Sequence, residues 1–121
     1  MTVKPLEPEQ SVSFVGEALR ILSKELESDP DTALLGFVGA PFTLAAYVVE
    51  GSGSKSFSTI KTMAFTSPDV LHALLDSFCE SIITYCDYQI VNGAQALQIF
   101  DSWAAYLAPS DFEVFSLPYI K

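Results

Sequence analysis

Residues Gly36 to Gly51 constrain this chain more than any other stretch. Thr32 to Val38 is a short, nearly continuous apolar run, the pattern of a strand buried on both faces of a parallel sheet. Glycines then bend the backbone, and Pro41 falls where a helix would place its first residue, with its missing N–H costing nothing. Phe42, Ala45, Ala46 and Val49 recur at helical spacing, and Gly51 supplies a C-terminal stop. The stretch reads strand, tight turn, short helix. Its turn lies at the carboxyl end of a strand, where α/β enzymes put their chemistry.

The rest of the chain extends that unit. From Pro8 to Leu26 the residues Phe14, Val15, Ala18, Leu19, Leu22 and Leu26 trace one helical stripe, ended by Asp29-Pro30-Asp31. Residues 52–56 read as an exposed hinge of small polar residues, and Lys55 lacks the order a phosphate loop requires. Phe57 to Phe65 predicts a short helix closed by Thr66. Ser67-Pro68 then predicts an N-cap and first position for a longer helix reaching about Asn92. Leu71, Leu75, Phe78, Ile82, Cys86 and Ile90 line one side of that helix, and His72 in its first turn reads as solvent-facing or capping. Gly93 ends it, and Ala96 to Phe100 predicts a second buried strand, hence a parallel βαβ crossover, right-handed by general rule. Ser110-Asp111-Phe112-Glu113 fits a capping box opening a last helix toward Lys121.

Composition narrows the function classes. Half of the 121 residues are hydrophobic and 17% are charged, which argues for a packed core. A net charge of −9 with a single arginine argues against nucleic acid and anionic membranes as partners. No apolar run is long enough to cross a bilayer, and no targeting segment is visible. Cys79 and Cys86, about 10 Å apart along one helix, are too distant for a disulfide and read as reduced, half-buried packing residues.

Two places could carry chemistry. Thr43, Tyr47 and Glu50 lie one turn apart, a polar edge on an otherwise apolar helix. Taken alone, Tyr47 is either a site residue or a buried tyrosine bonded to local backbone. Asp101 and Ser102 directly follow the second strand, where a barrel faces its ligand; ordinary turn chemistry around Trp103 explains them equally well. No Gly-x-Ser-x-Gly elbow supports a serine hydrolase, and only a shared strand-end location links Glu50 with Asp101 as a glycosidase pair.

The stretch Gly36–Gly51 also resembles the signature of uroporphyrinogen decarboxylases, and the likeness continues through Asn92–Trp103 to Leu117-Pro118-Tyr119-Ile120. It is closest to the plant and cyanobacterial forms of that family. The resemblance implies a (β/α)8 barrel, of which these residues would supply about two parallel strands and flanking helices: the central part, incomplete at both ends. It implies decarboxylation of the acetate side chains of uroporphyrinogen III to give coproporphyrinogen III, in haem and chlorophyll synthesis, by a cofactor-free, metal-free homodimer. Location would be the plastid stroma in a plant and the cytoplasm in a bacterium. The matching tyrosine, Tyr47, would lie beside the reacting acetate, with Ser102, Asp101 and Phe100 contacting the tetrapyrrole. The family's N-terminal arginine motif, pyrrole-binding aspartate and C-terminal histidine have no counterpart in these residues, and Arg20 with five scattered lysines makes no convincing cage for a polycarboxylate. The isolated chain is therefore expected to be inactive, and molten or aggregated. Two alternatives remain: a related barrel methyltransferase, which would need a zinc cluster, and a non-catalytic βα scaffold or regulatory domain.

Overall fold

The computed structural model describes residues 4–51 and 56–121, so the expected hinge at 52–56 lies almost wholly outside the described residues. Seven α-helices, two short 3-10 turns and two parallel strands are described. The fold is mixed α/β, as two units of a barrel should be.

The N-terminal stripe forms two helices where one was expected. α1 (Pro8–Ser11) is a single turn, and α2 (Ser13–Glu25) begins after Val12, whose φ of −140° and ψ of 32° leave the helical region. Ser11, Val12 and Ser13 are weak helix formers in succession, so the ladder breaks there at little cost. Gly16 and Leu19 face inward, while Phe14 and Leu22 of the expected stripe remain exposed. Gly16 permits a close approach to the long helix that follows: a Cβ there would stand 2.6 Å from Cζ of Tyr88. After a 3-10 turn (Leu26–Ser28), the Asp29 carboxylate accepts from the Thr32 hydroxyl at 2.7 Å and the Asp31 amide at 3.2 Å, turning the chain toward the sheet.

β1 (Leu35–Gly39) pairs in parallel with β2 (Ala96–Phe100), in a register running from Leu35↔Ala96 to Gly39↔Phe100. Neither strand is buried on both faces, which corrects the expectation. Gly36 and Val38 are buried, while Leu35 and Phe37 are exposed, and β2 is exposed along most of its length. Helices cover one face of β1, and among the described residues nothing covers the other.

Between the strands lie α3 (Pro41–Glu50), α4 (Ser58–Thr66) and α5 (Pro68–Val91). α3 starts with Pro41 and stops where Gly51 takes the left-handed conformation at φ 68°, its N–H bonded to the Tyr47 carbonyl at 3.0 Å. Ser67 occupies the N-cap of α5, but only its carbonyl is used, accepting from Val70 and Leu71. Leu71, Leu75 and Ile82 are buried along the expected side; Ile90 is 52% exposed, because Tyr88 and Gln89 take the inner face of the last turns. Gln89, 3% exposed, accepts from the Phe37 N–H and donates to the Phe37 carbonyl, both at 3.0 Å. Its amide thus satisfies a β1 residue as a neighbouring strand would. Gly93, at φ 114°, ends the crossover.

The C-terminal segment differs from a single capped helix. α6 (Pro109–Phe115) opens at Pro109 with no side-chain cap, and α7 (Leu117–Ile120) follows a break at Ser116. Pro118 has no N–H for the Val114 carbonyl, and its ring would crowd that oxygen, so one helix cannot continue. The main core gathers Phe42, Ala45, Ala46, Ile60, Leu71, Leu75 and Phe115 from α3, α4, α5 and α6; a smaller one holds Leu19, Leu34 and Ala94. Cys79 and Cys86 are half-buried and unpaired. Burial, then the charge of Asp87, pushes the Cys86 thiol up, the direction of an inert packing cysteine.

Candidate active site

The carboxyl ends of β1 and β2 lie side by side, so the segments that follow them meet. Tyr47 stands on α3 after β1, and Phe100, Asp101 and Ser102 close β2 and open the 3-10 turn Ser102–Tyr106. Tyr47 is 55% exposed, which removes the reading of a buried tyrosine. Its ring meets Trp103 edge-on at 5.6 Å, so the two segments touch through these aromatics. Ser102 is exposed at the start of its turn. Phe100 is half exposed, its ring 6.1 Å from that of Phe37 in an edge contact on the open face of the sheet.

Asp101 differs from the other three. Its carboxylate accepts from the Thr43 hydroxyl at 2.8 Å on one oxygen and from the Ser116 hydroxyl on the other. The Thr43 oxygen in turn accepts from the Trp103 backbone N–H at 3.2 Å. The expected polar edge of α3 therefore divides. Thr43 faces the β2 turn, Tyr47 faces outward, and Glu50 accepts from the N–H groups of Thr59 at 2.9 Å and Ile60 at 3.0 Å, capping α4.

Several neighbours carried little signal in the sequence. Trp103 packs on Phe57 at 4.9 Å, and Tyr106 lies 4.7 Å from the same ring. Phe57 holds a left-handed φ of 50°, uncommon for a bulky side chain, and is 5% exposed beneath this cluster. The indole N–H of Trp103 is buried with no hydrogen-bond partner among the described residues. Ser116, 1% exposed, had no motif to mark it; Thr43 and Trp103 at least fall within the distinctive stretches.

Other titratable groups belong elsewhere. His72 is half-buried, contrary to the solvent-facing reading. It stacks on Phe115 at 5.0 Å with Nδ1 2.5 Å from the Tyr119 hydroxyl, because α7 folds back on the start of α5. Arg20 donates to the Asn92 side chain, before β2, whereas the candidate residues follow it. Lys61 lies 5.9 Å over the Tyr106 ring, near the aromatic cluster. Among the described residues no His, Cys, Asp and Glu cluster could hold a metal, and no helix is long and apolar enough to cross a membrane. A cavity of about 430 Å³ lined by Leu6, Val38, Leu44, Phe78, Ile82 and Tyr85 borders none of the four candidate residues. The site is an open face at the strand ends.

Comparison with known proteins assigns the chain to a family. All 121 residues match the family described as "Uroporphyrinogen decarboxylase (URO-D)". Over 119 residues the chain is 60% identical to "Uroporphyrinogen decarboxylase 2, chloroplastic" of Arabidopsis thaliana and to "Uroporphyrinogen decarboxylase, chloroplastic" of Nicotiana tabacum. It is 56% identical over 119 residues to "Uroporphyrinogen decarboxylase" of Prochlorococcus marinus (strain MIT 9301). In each case 98% of this chain is covered, against 30% of the two plant proteins and 34% of the cyanobacterial one. The chain belongs to the uroporphyrinogen decarboxylase family, and spans about a third of the length of the relatives it matches.

Proposed function

We propose that these 121 residues form the central part of a uroporphyrinogen decarboxylase barrel and carry part of its substrate site. The observation that supports this best is the edge contact of exposed Tyr47, on the helix after β1, with Trp103, the neighbour in sequence of exposed Ser102 after the adjacent parallel strand. In this reading Tyr47 places its hydroxyl beside the reacting acetate, Ser102 makes a polar contact and Phe100 gives the macrocycle an apolar wall. Asp101 lies at the edge of the same contact surface.

The chemistry needs no cofactor. Protonation of a pyrrole ring makes a cation, and the bond to the carboxylate breaks with its electron pair moving into that ring. Carbon dioxide leaves, the former methylene takes up a proton to become methyl, and the ring loses the proton it gained. Catalysis then consists of stabilising the transient cation with a fixed anion, a role that falls to an aspartate outside these residues. The same applies to the cationic partners of the substrate's carboxylates, since Arg20 is committed to Asn92. In keeping with the family, the whole enzyme would be a homodimer, in the plastid stroma of a plant or the cytoplasm of a bacterium.

A hybrid tests this, with the matched 119-residue segment of the tobacco protein replaced by this chain. Tyr47→Phe in the hybrid should cut turnover more than stability, since it removes a hydroxyl and little packing. Ser102→Ala should cost transition-state binding about 1–2 kcal/mol. Unchanged activity and affinity in Tyr47→Phe would remove Tyr47 from the site.

A further inference from the structure

We propose that Thr43, Asp101 and Ser116 form a clamp that fixes the turn bearing Ser102 against the helix bearing Tyr47, making them positioning residues of the decarboxylation site. The proposal rests on the reading of function above and deepens it.

Three segments distant in sequence converge on one carboxylate. Asp101 accepts the Thr43 hydroxyl, 58 positions away, and the Ser116 hydroxyl, 15 positions away. Thr43 is 4% exposed and Ser116 1%, so neither hydroxyl has water as an alternative partner, and burying either unpaired would be costly. A carboxylate suits the junction because it only accepts, and so meets two O–H donors without conflict.

The placement links this junction to the candidate site. Thr43 lies one helical turn before Tyr47, and Asp101 immediately precedes Ser102. The Thr43 hydroxyl uses both of its capacities across the gap, donating to Asp101 and accepting the Trp103 amide at 3.2 Å. Trp103 then carries the ring against which Tyr47 rests. Ser116 ties the same carboxylate to the break between α6 and α7. Each Asp101 oxygen accepts from a protein hydroxyl, so the carboxylate places Ser102 and Trp103, which follow it in the chain.

Valine at position 43 keeps the shape of threonine while deleting both bonds; serine keeps the hydroxyl. In the tobacco hybrid, turnover of uroporphyrinogen III and deuterium exchange of the peptide covering residues 101–107 are measured for Thr43→Val, Thr43→Ser and Ser116→Ala. Thr43→Val should speed exchange at the Trp103 amide and lower kcat by roughly 10- to 100-fold, the scale of a misplaced reacting group. KM should change less than kcat, Thr43→Ser should restore both readouts, and Ser116→Ala should fall between. Unchanged exchange in Thr43→Val would overturn the clamp, whatever the activity. Faster exchange with unchanged kcat would leave a purely structural bond and overturn the positioning role. An unmutated hybrid that is folded but inactive would instead refute the reading of function, with the bond itself still judged by exchange.

Discussion

The open face of the sheet should make the isolated chain associate, and Phe37→Lys should reverse much of that association. In a parallel pair, partners in register point to the same side, so Leu35, Phe37 and Phe100 share one face. They are 56%, 64% and 49% exposed, and the two phenylalanine rings touch. Taking roughly 200 Å² for an aromatic side chain, Phe37 presents ~130 Å² and Phe100 ~100 Å² of apolar surface to water. Leu35 brings the patch to ~300 Å² or more, within the range that marks a contact surface and not scattered exposure. At about 25 cal/mol per Å², covering Phe37 alone is worth ~3 kcal/mol, or about a hundred-fold in an association constant. Lysine removes that gain and adds a charge that resists desolvation. The Gln89 bonds to the Phe37 backbone need no particular side chain there, so the local structure should persist. Sedimentation velocity over a concentration series, with an apolar dye as a second probe, should show the parent chain associating and binding dye. Phe37→Lys should shift the association by about two decades. A parent chain that stays monomeric with a sharp cooperative melt would refute the reasoning, as would equal association of the variant.

Two further outcomes follow from individual side chains. Arg20→Met in the hybrid should lower stability while leaving KM for uroporphyrinogen III unchanged, because the guanidinium serves Asn92 at the end of α5; a several-fold rise in KM would place Arg20 in the site. Tyr85, Cys86 and Tyr119 all have pKa values raised chiefly by burial, so the unfolded chain releases these protons first. Their contribution is complete below the ordinary value of 9.0 for the thiol and 10.0 for the phenols, and is lost as pH rises through the higher folded values. Denaturation midpoints of the hybrid should fall across that alkaline window, and Cys86→Ala should shrink the fall; an unchanged fall would remove the thiol from the account.

Local chemistry was legible in the sequence where a single residue decides the backbone. Pro41 and Gly51 bracket α3, Pro68 and Gly93 bracket the crossover helix, and the apolar runs at β1 and β2 gave both strands. Long-range satisfaction was not. The split at Val12 and the break at Ser116 arise where propensity or Pro118 overrides a continuous apolar stripe. Strand burial was overstated because an apolar run records what a strand is suited to face, and among the described residues only one side of β1 is faced. The site divided in the same way. Asp101 and Ser102 were marked by their place after a strand, Tyr47 by the polar edge of its helix and Phe100 by its place before the pair, yet nothing local distinguishes Asp101, held by two hydroxyls, from Ser102, open to solvent. Ser116 and Gln89 act on partners 15 and 52 positions away, and such separations leave no periodic trace.

The proposal that this chain forms a third of a uroporphyrinogen decarboxylase is tested most directly by the unmutated tobacco hybrid. Anaerobic incubation with uroporphyrinogen III, oxidation of the products and chromatographic separation by carboxylate count should give coproporphyrin as the end product, as the parent tobacco protein is expected to do in the same assay. A folded hybrid that returns only uroporphyrin would contradict the account.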